Sequence, residues 1–143
     1  MKRTACCLPV RTEMDATRVV LEAGKICRDT SFSEADRQRL ATAVSELARN
    51  ILKYAGHGQI LISTLEAPPL DPPEGAQASR PGIEVTASDD GPGIADVELA
   101  LQDHTSSGGT LGLGLPGVRR LMDEFEIDST PGRGTRVTVR KWQ

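Results

Sequence analysis

The stretch SDDGPGI, Ser88 to Ile94, closes an alternating apolar run with two adjacent carboxylates and a Gly-Pro-Gly turn. A carboxylate held at a strand end can accept hydrogen bonds from a ligand, and glycines beside it let a second group approach the backbone. Further upstream, Glu46 and Asn50 stand four residues apart in SELARN. That spacing puts them about 40° apart around a helix of roughly 3.6 residues per turn, so they project from one side. There the amide oxygen could take a magnesium ion and the carboxylate a proton. Taken alone, the same spacing more often marks a polar face turned to solvent, since short motifs match by accident.

A third segment, GGTLGLGLPGV, carries Gly108, Gly109, Gly112, Gly114 and Gly117. Residues 112–117 formally fit the dinucleotide fingerprint GxGxxG, but serines and glycines precede them where a Rossmann loop needs a strand, and the chain is nearly over. The glycines keep a simpler meaning. Pro116 suits a first helical turn, and the free N–H groups just before it can meet phosphate oxygens, so a flexible tether there can close over a triphosphate. Neither GxxxxGK[ST] nor the HRD and DFG triplets of eukaryotic-type kinases occur. His57 and His104 have no second His or Cys at ligand spacing and read as exposed. Trp142 reads as a strand-end or surface anchor rather than part of a site.

The elements that must position these residues follow from periodicity. Residues 6–10, CCLPV, form a short first strand. Ala16, Val19, Val20, Ala23, Ile26 and Cys27 recur at three- and four-residue spacing, predicting an amphipathic helix from Glu13 to Arg28. Ser33 with Asp36 opens a second helix that runs to about Ala55 and stops at Gly56, with Leu40, Val44, Leu47, Ile51 and Leu52 as its apolar stripe. Strands follow at GQILISTLE, GIEVTASDD, FEIDST and GTRVTVRKW, with a short helix over residues 95–102 and another through LPGVRRLMDEF. The segment at about 67–82 holds five prolines and joins two strands as an excursion. The expected fold is α+β, a two-layer sandwich of a mixed sheet with helices on one face.

Composition limits the function. With 143 residues the chain is expected to be one domain, residues 1–143. A net charge of -3 and 3% aromatics provide neither a basic field for phosphate backbones nor platforms for bases, which argues against nucleic acid. No stretch approaches a membrane span, and Cys6, Cys7 and Cys27 lack metal or disulfide spacing, so a cytoplasmic protein with reduced thiols is expected.

The order of SELARN on a helix, SDDGPGI after a strand, GGTLGLGLPGV into a helix and GRGT before the last strand resembles the GHKL ATP-binding fold of gyrase, Hsp90, MutL and histidine-kinase catalytic domains. Chain size and the run from Gly112 to Trp142 look most like the RsbT-type serine/threonine kinases of bacterial stress signalling, relatives of the RsbW and SpoIIAB anti-sigma factor kinases. The proline-rich segment departs from that family's compact pattern.

This resemblance implies ATP and magnesium as cofactors. It implies that Asp89 accepts a hydrogen bond from the exocyclic amine of adenine, while Gly91 and Gly93 keep side chains away from the nucleotide. Asn50 would ligand magnesium and Glu46 would be the base. Gly108, Gly109, Thr110, Leu111, Gly112, Leu113 and Gly114 would belong to a lid over the phosphates, and Thr135 would lie near the adenine. The implied partners are STAS-domain proteins of a stressosome-like complex, as substrates, and a PP2C-type phosphatase or other output enzyme. An anti-sigma factor and an ATP-gated binding module are the alternatives. A histidine kinase is disfavoured because no phosphoacceptor helix precedes the fold, and a gyrase-like machine because no transducer domain follows.

Overall fold

A computed structural model describes residues 2–67, 74, 79–102 and 114–143. Its elements run β1 (Lys2–Val10), α1 (Glu13–Arg28), α2 (Glu34–Tyr54), β2 (Gly58–Ala67), β3 (Arg80–Asp89), α3 (Val97–Ala100), α4 (Gly114–Leu121), β4 (Glu124–Thr130) and β5 (Gly134–Trp142).

Local chemistry sets the helix ends. Thr12 caps α1 by accepting from the Asp15 amide, and Ser33 caps α2 by accepting from the Asp36 amide. α2 stops where Gly56, at φ +84°, donates its amide to the Ile51 carbonyl at 2.9 Å. α3 is shorter than the expected 95–102. Asp96 caps it, and it buries no residue that would extend it. α4 ends at Leu121, short of Phe125, which lies in β4.

The five strands are ordered β1-β2-β3-β5-β4, and every neighbouring pair is antiparallel. The expected mixed sheet is therefore corrected to an antiparallel one. Two consecutive helices between β1 and β2 carry the chain out and back, so β2 starts at the end where β1 stops and runs against it. The connection that carries α3 and α4 leaves β3 and β4 running the same way, but β5, returning through the turn at 131–133, sits between them. The proline-rich excursion leaves and rejoins at neighbouring strands, since Ala67 pairs with Arg80.

Period-two alternation divides the sheet. Ile60, Ile62, Ile83, Val85, Ala87, Val137 and Val139 are buried beneath the helices with Val19, Ala23, Leu40, Val44, Leu47 and Ile51. The opposite face carries an ion-pair ladder in which Glu84 meets Lys2 and Arg140, each at 2.8 Å, and Arg140 reaches Glu124 and Glu126. The three cysteines are free, and burial pushes the Cys27 thiol up to about 11. Trp142 anchors the end of β5, packing on Gly82 beneath the Arg80 guanidinium and donating its indole N–H to Glu124.

Candidate functional site

α2 is the rail along which the distant segments meet. Glu46, on a helix that elsewhere alternates polar and apolar, is buried with 8% of its surface exposed, so it is not part of a solvated polar face. Its Oε2 lies 3.4 Å from the backbone nitrogen of Gly114, the first residue of α4. A carboxylate facing the first amides of a helix meets unpaired donors and the positive end of the helix dipole. One turn further on, about 6 Å along the axis, comes the half-buried Asn50. At the end of α2, Ala55 packs against Gly91, where an added Cβ would come within 2.6 Å of the Ala55 Cβ.

The SDDGPGI turn is folded tightly onto this rail and onto the end of the sheet. Asp89 is half-buried, and its Oδ1 accepts the Gly91 amide at 2.9 Å, an Asx turn that fixes the carboxylate. Asp90 is exposed. Gly93 has φ +76°, and a Cβ there would lie 2.3 Å from the Thr130 carbonyl oxygen. The nearest constraint on both glycines is therefore the protein itself, α2 for Gly91 and the end of β4 for Gly93. That packing demand is distinct from the clearance for a nucleotide expected of these glycines.

Asp89, Thr135 and Ser129 form one cross-strand row on β3, β5 and β4. Adjacent strands lie about 4.8 Å apart, so Thr135 stands directly beside Asp89. Gly134, at φ +93°, sits against the same spot, where a Cβ would fall 2.0 Å from the Asp89 carbonyl oxygen. The Gly132 amide donates to the Pro92 carbonyl at 2.7 Å, pinning the β4–β5 turn to the Gly-Pro-Gly turn. An open depression of about 600 Å³ adjoins this end of the sheet, lined by His57, Gly58, Asp89, Asp128, Arg133 and Thr135 among others.

Of the candidate residues, Glu46 and Gly114 touch directly, and Asp89, Gly91 and Thr135 cluster at one end of α2. Gly108, Gly109, Thr110, Leu111, Gly112 and Leu113 lie outside the described residues, as does His104. Sequence reasoning passed over Ser129, Gly134 and Ala55. The glycine-rich GRGT run was a signal for Gly134, whereas Ser129 and Ala55 gain their roles only through register and packing.

Among the described residues no group of three or more His, Cys, Asp or Glu could hold a metal. A single amide, that of Asn50, suits magnesium that arrives on nucleotide phosphates and keeps much of its water, and does not suit a resident ion. Among the described residues, no helix is long and apolar enough to cross a membrane.

Residues 8–141 match the family model described as "Histidine kinase-like ATPase domain". The chain is 40% identical over 136 residues to "Serine/threonine-protein kinase RsbT" of Bacillus subtilis (strain 168), covering 95% of each protein. It is 37% identical over 106 residues to "Anti-sigma F factor" of Caldanaerobacter subterraneus subsp. tengcongensis, covering 72% of this chain and 68% of that one. Among solved structures, the SiaB-SiaC complex of Pseudomonas aeruginosa gives a TM-score of 0.56 at 11% identity, covering 99% of this chain and 91% of that chain. The mycobacterial sensor histidine kinase MprB gives 0.51 at 20%, covering 94% and 95%. At those identities the two structures speak to fold alone, but the family model and the two curated relatives go further, and the chain belongs to the histidine kinase-like ATPase domain family.

Proposed function

We propose that the chain is a serine/threonine protein kinase that takes its phosphoryl group from ATP bound along α2. Residues 1–143 act as one domain, with the proline-rich segment at about 67–82 as an excursion between β2 and β3. The likeness that carries this reading is 40% identity to an RsbT kinase over 95% of the chain. The spacing of the candidate residues along α2 is compatible with it, since Glu46 lies at one contact and the Asp89 turn at the other, with Asn50 between them.

In this reading Asp89 accepts the adenine amine, a donor that guanine lacks at that position, and Thr135 lies beside it. Gly91 and Gly93 keep the Asp89 turn closed. Asn50 holds magnesium, which when bound neutralises phosphate charge. Gly108, Gly109, Thr110, Leu111, Gly112, Leu113 and Gly114 cover the phosphates. Phosphoryl transfer passes through a loose transition state, so a poorly nucleophilic seryl hydroxyl depends chiefly on alignment and charge neutralisation. Glu46 orients that hydroxyl and takes its proton. Burial of Glu46 supports this assignment, because a carboxylate shielded from water keeps its hydrogen-bonding capacity for the reacting group.

The substrates are STAS-domain proteins of a stressosome-like complex, and the released kinase binds and activates a PP2C-type phosphatase. The resemblance to RsbT-type kinases is what suggests both partners and a cytoplasmic setting. Incubation with labelled ATP and a STAS-domain candidate, followed by phosphosite mapping, tests the activity. Nucleotide binding with no phosphoprotein from any such candidate would leave a binding module instead. The anti-sigma F relative favours one second reading, sequestration of a sigma subunit. Co-purification with sigma in place of a STAS-domain protein would establish it.

A further inference from the structure

We propose that Ser129 is a positioning residue that presets the Thr135 hydroxyl beside Asp89 and so sharpens the choice of adenine over guanine. The proposal rests on the reading of Asp89 as the group that meets the purine.

The Ser129 hydroxyl joins three pieces of chain. Its oxygen accepts the Ile94 amide at 2.7 Å, lies 2.8 Å from the Thr135 Oγ1 and can donate to the Gly134 carbonyl at 3.2 Å. Ile94 ends the SDDGPGI turn, Thr135 is the cross-strand neighbour of Asp89, and Ser129 is the next residue in that row.

A hydroxyl has one hydrogen and two lone pairs. With its hydrogen given to the Gly134 carbonyl, Ser129 has both lone pairs for incoming donors. The Ile94 amide takes one and the Thr135 O–H takes the other. Thr135 has then spent its only hydrogen and turns lone pairs outward, next to the acceptor-only Asp89 carboxylate. Two acceptors side by side welcome an exocyclic amine and repel a carbonyl oxygen. Adenine carries the amine at that position and guanine the oxygen. Without the Ser129 hydroxyl, the Thr135 O–H is free to rotate and donate to the guanine oxygen.

The experiment measures ATP and GTP dissociation constants and the KM and kcat for ATP on the full chain, for the wild type, Ser129→Ala and Ser129→Thr. Loss of a hydrogen bond of ordinary strength changes affinity on the order of three- to tenfold. Ser129→Ala is expected to weaken ATP by about that factor and to shrink the ATP-over-GTP preference likewise, with kcat at saturation unchanged. Ser129→Thr, which keeps the hydroxyl, is expected to preserve the preference. On the ATP-over-GTP preference, Thr135→Val combined with Ser129→Ala should cost little more than Thr135→Val alone, because the Ser129 hydroxyl acts on the preference only through Thr135. If Ser129→Ala does not fold, Ser129→Cys keeps the volume and weakens the bond, and the same ratio is read from it.

A variant that lowers thermal stability and weakens both nucleotides by one common factor shows a merely structural serine and overturns the proposal. So does an unchanged preference in a folded variant. A wild-type chain that binds no adenine nucleotide overturns the underlying reading of Asp89, a result distinct from either.

Discussion

The backbone N–H of Gly114 faces the carboxylate of Glu46, with 3.4 Å between the nitrogen and Oε2. The start of α4 is thereby held to the middle of α2, next to the one buried acid of that helix. A general base contributes roughly 10²- to 10⁴-fold to a proton-transfer step. Glu46→Gln keeps the shape and an acceptor oxygen for the Gly114 amide but cannot take a proton. It is expected to lower phosphoryl transfer by about that factor while ATP affinity stays within roughly threefold of wild type, a small change on the scale of one hydrogen bond. Parallel measurement of labelled transfer and of nucleotide affinity separates the two, and equal losses in both would refute the assigned role.

Asp89→Asn isolates the charge of the carboxylate. Asparagine still offers an oxygen to the Gly91 amide, so the 2.9 Å bond that shapes the turn survives and the fold is retained. Hydrogen bonds to charged groups are worth about 1.5–3 kcal/mol, and the amide can also turn its NH2 toward the ligand. ATP affinity is therefore expected to fall by roughly 10- to 100-fold, measured by calorimetric titration. Unfolding temperature should move little. A variant that binds ATP normally would remove Asp89 from the nucleotide site.

Much of this was legible in the sequence. The 3.6-residue periodicity of Ala16, Val19, Ala23 and Cys27 gave α1 its limits, and Ser33 with Asp36 marked the start of α2, because both signals are local. The Asp89 turn was legible because glycine and proline punctuate it. The antiparallel sheet was not, since strand direction depends on which strands become neighbours, and the position of β5 between β3 and β4 is a long-range outcome. The burial of Glu46 was hidden for the same reason. A helical period places a residue on a face, but what packs over that face, here including the start of α4, is a tertiary outcome. Ser129 reads as an unremarkable strand serine until register sets it beside Thr135.

Gly134 makes a steric prediction. Its φ of +93° is a conformation that side chains rarely adopt, and a Cβ would meet the Asp89 carbonyl oxygen at 2.0 Å. Because that oxygen belongs to backbone, relief requires β3 and β5 to separate beside the Asp89 carboxylate. Gly134→Ala is expected to destabilise the fold by about 2 kcal/mol or more and to weaken ATP binding as well. Gly24, in the middle of α1, has nothing within 4 Å of its added Cβ. Gly24→Ala should therefore stabilise by roughly 0.5–1 kcal/mol. Urea unfolding of the two variants checks the contrast, and a neutral Gly134→Ala would mean that the two strand ends are not held together as described.

The ion-pair ladder on the sheet face makes stability depend on pH in a definite direction. Burial opposes ionisation of Glu84, but hydrogen bonds and charge from Lys2 and Arg140 outweigh it and hold its carboxyl below the ordinary glutamate value. A group whose folded-state value is lowered binds its proton more readily when unfolded, so its contribution is complete above the unfolded value of about 4.3. It is lost as pH falls through the lower, folded value. Glu84→Gln, which removes the charge at every pH and leaves Arg140 with the more exposed Glu124 and Glu126, is expected to cost about 2 kcal/mol at pH 7. The gap between wild type and variant should stay constant from pH 7 to pH 6, narrow as pH falls below about 4.3, and close once pH has passed the lower folded-state value, where the wild-type carboxyl is also neutral. Urea unfolding at a series of pH values measures that gap. A difference that persists undiminished at pH 3 would place the effect in packing rather than in the charge of Glu84.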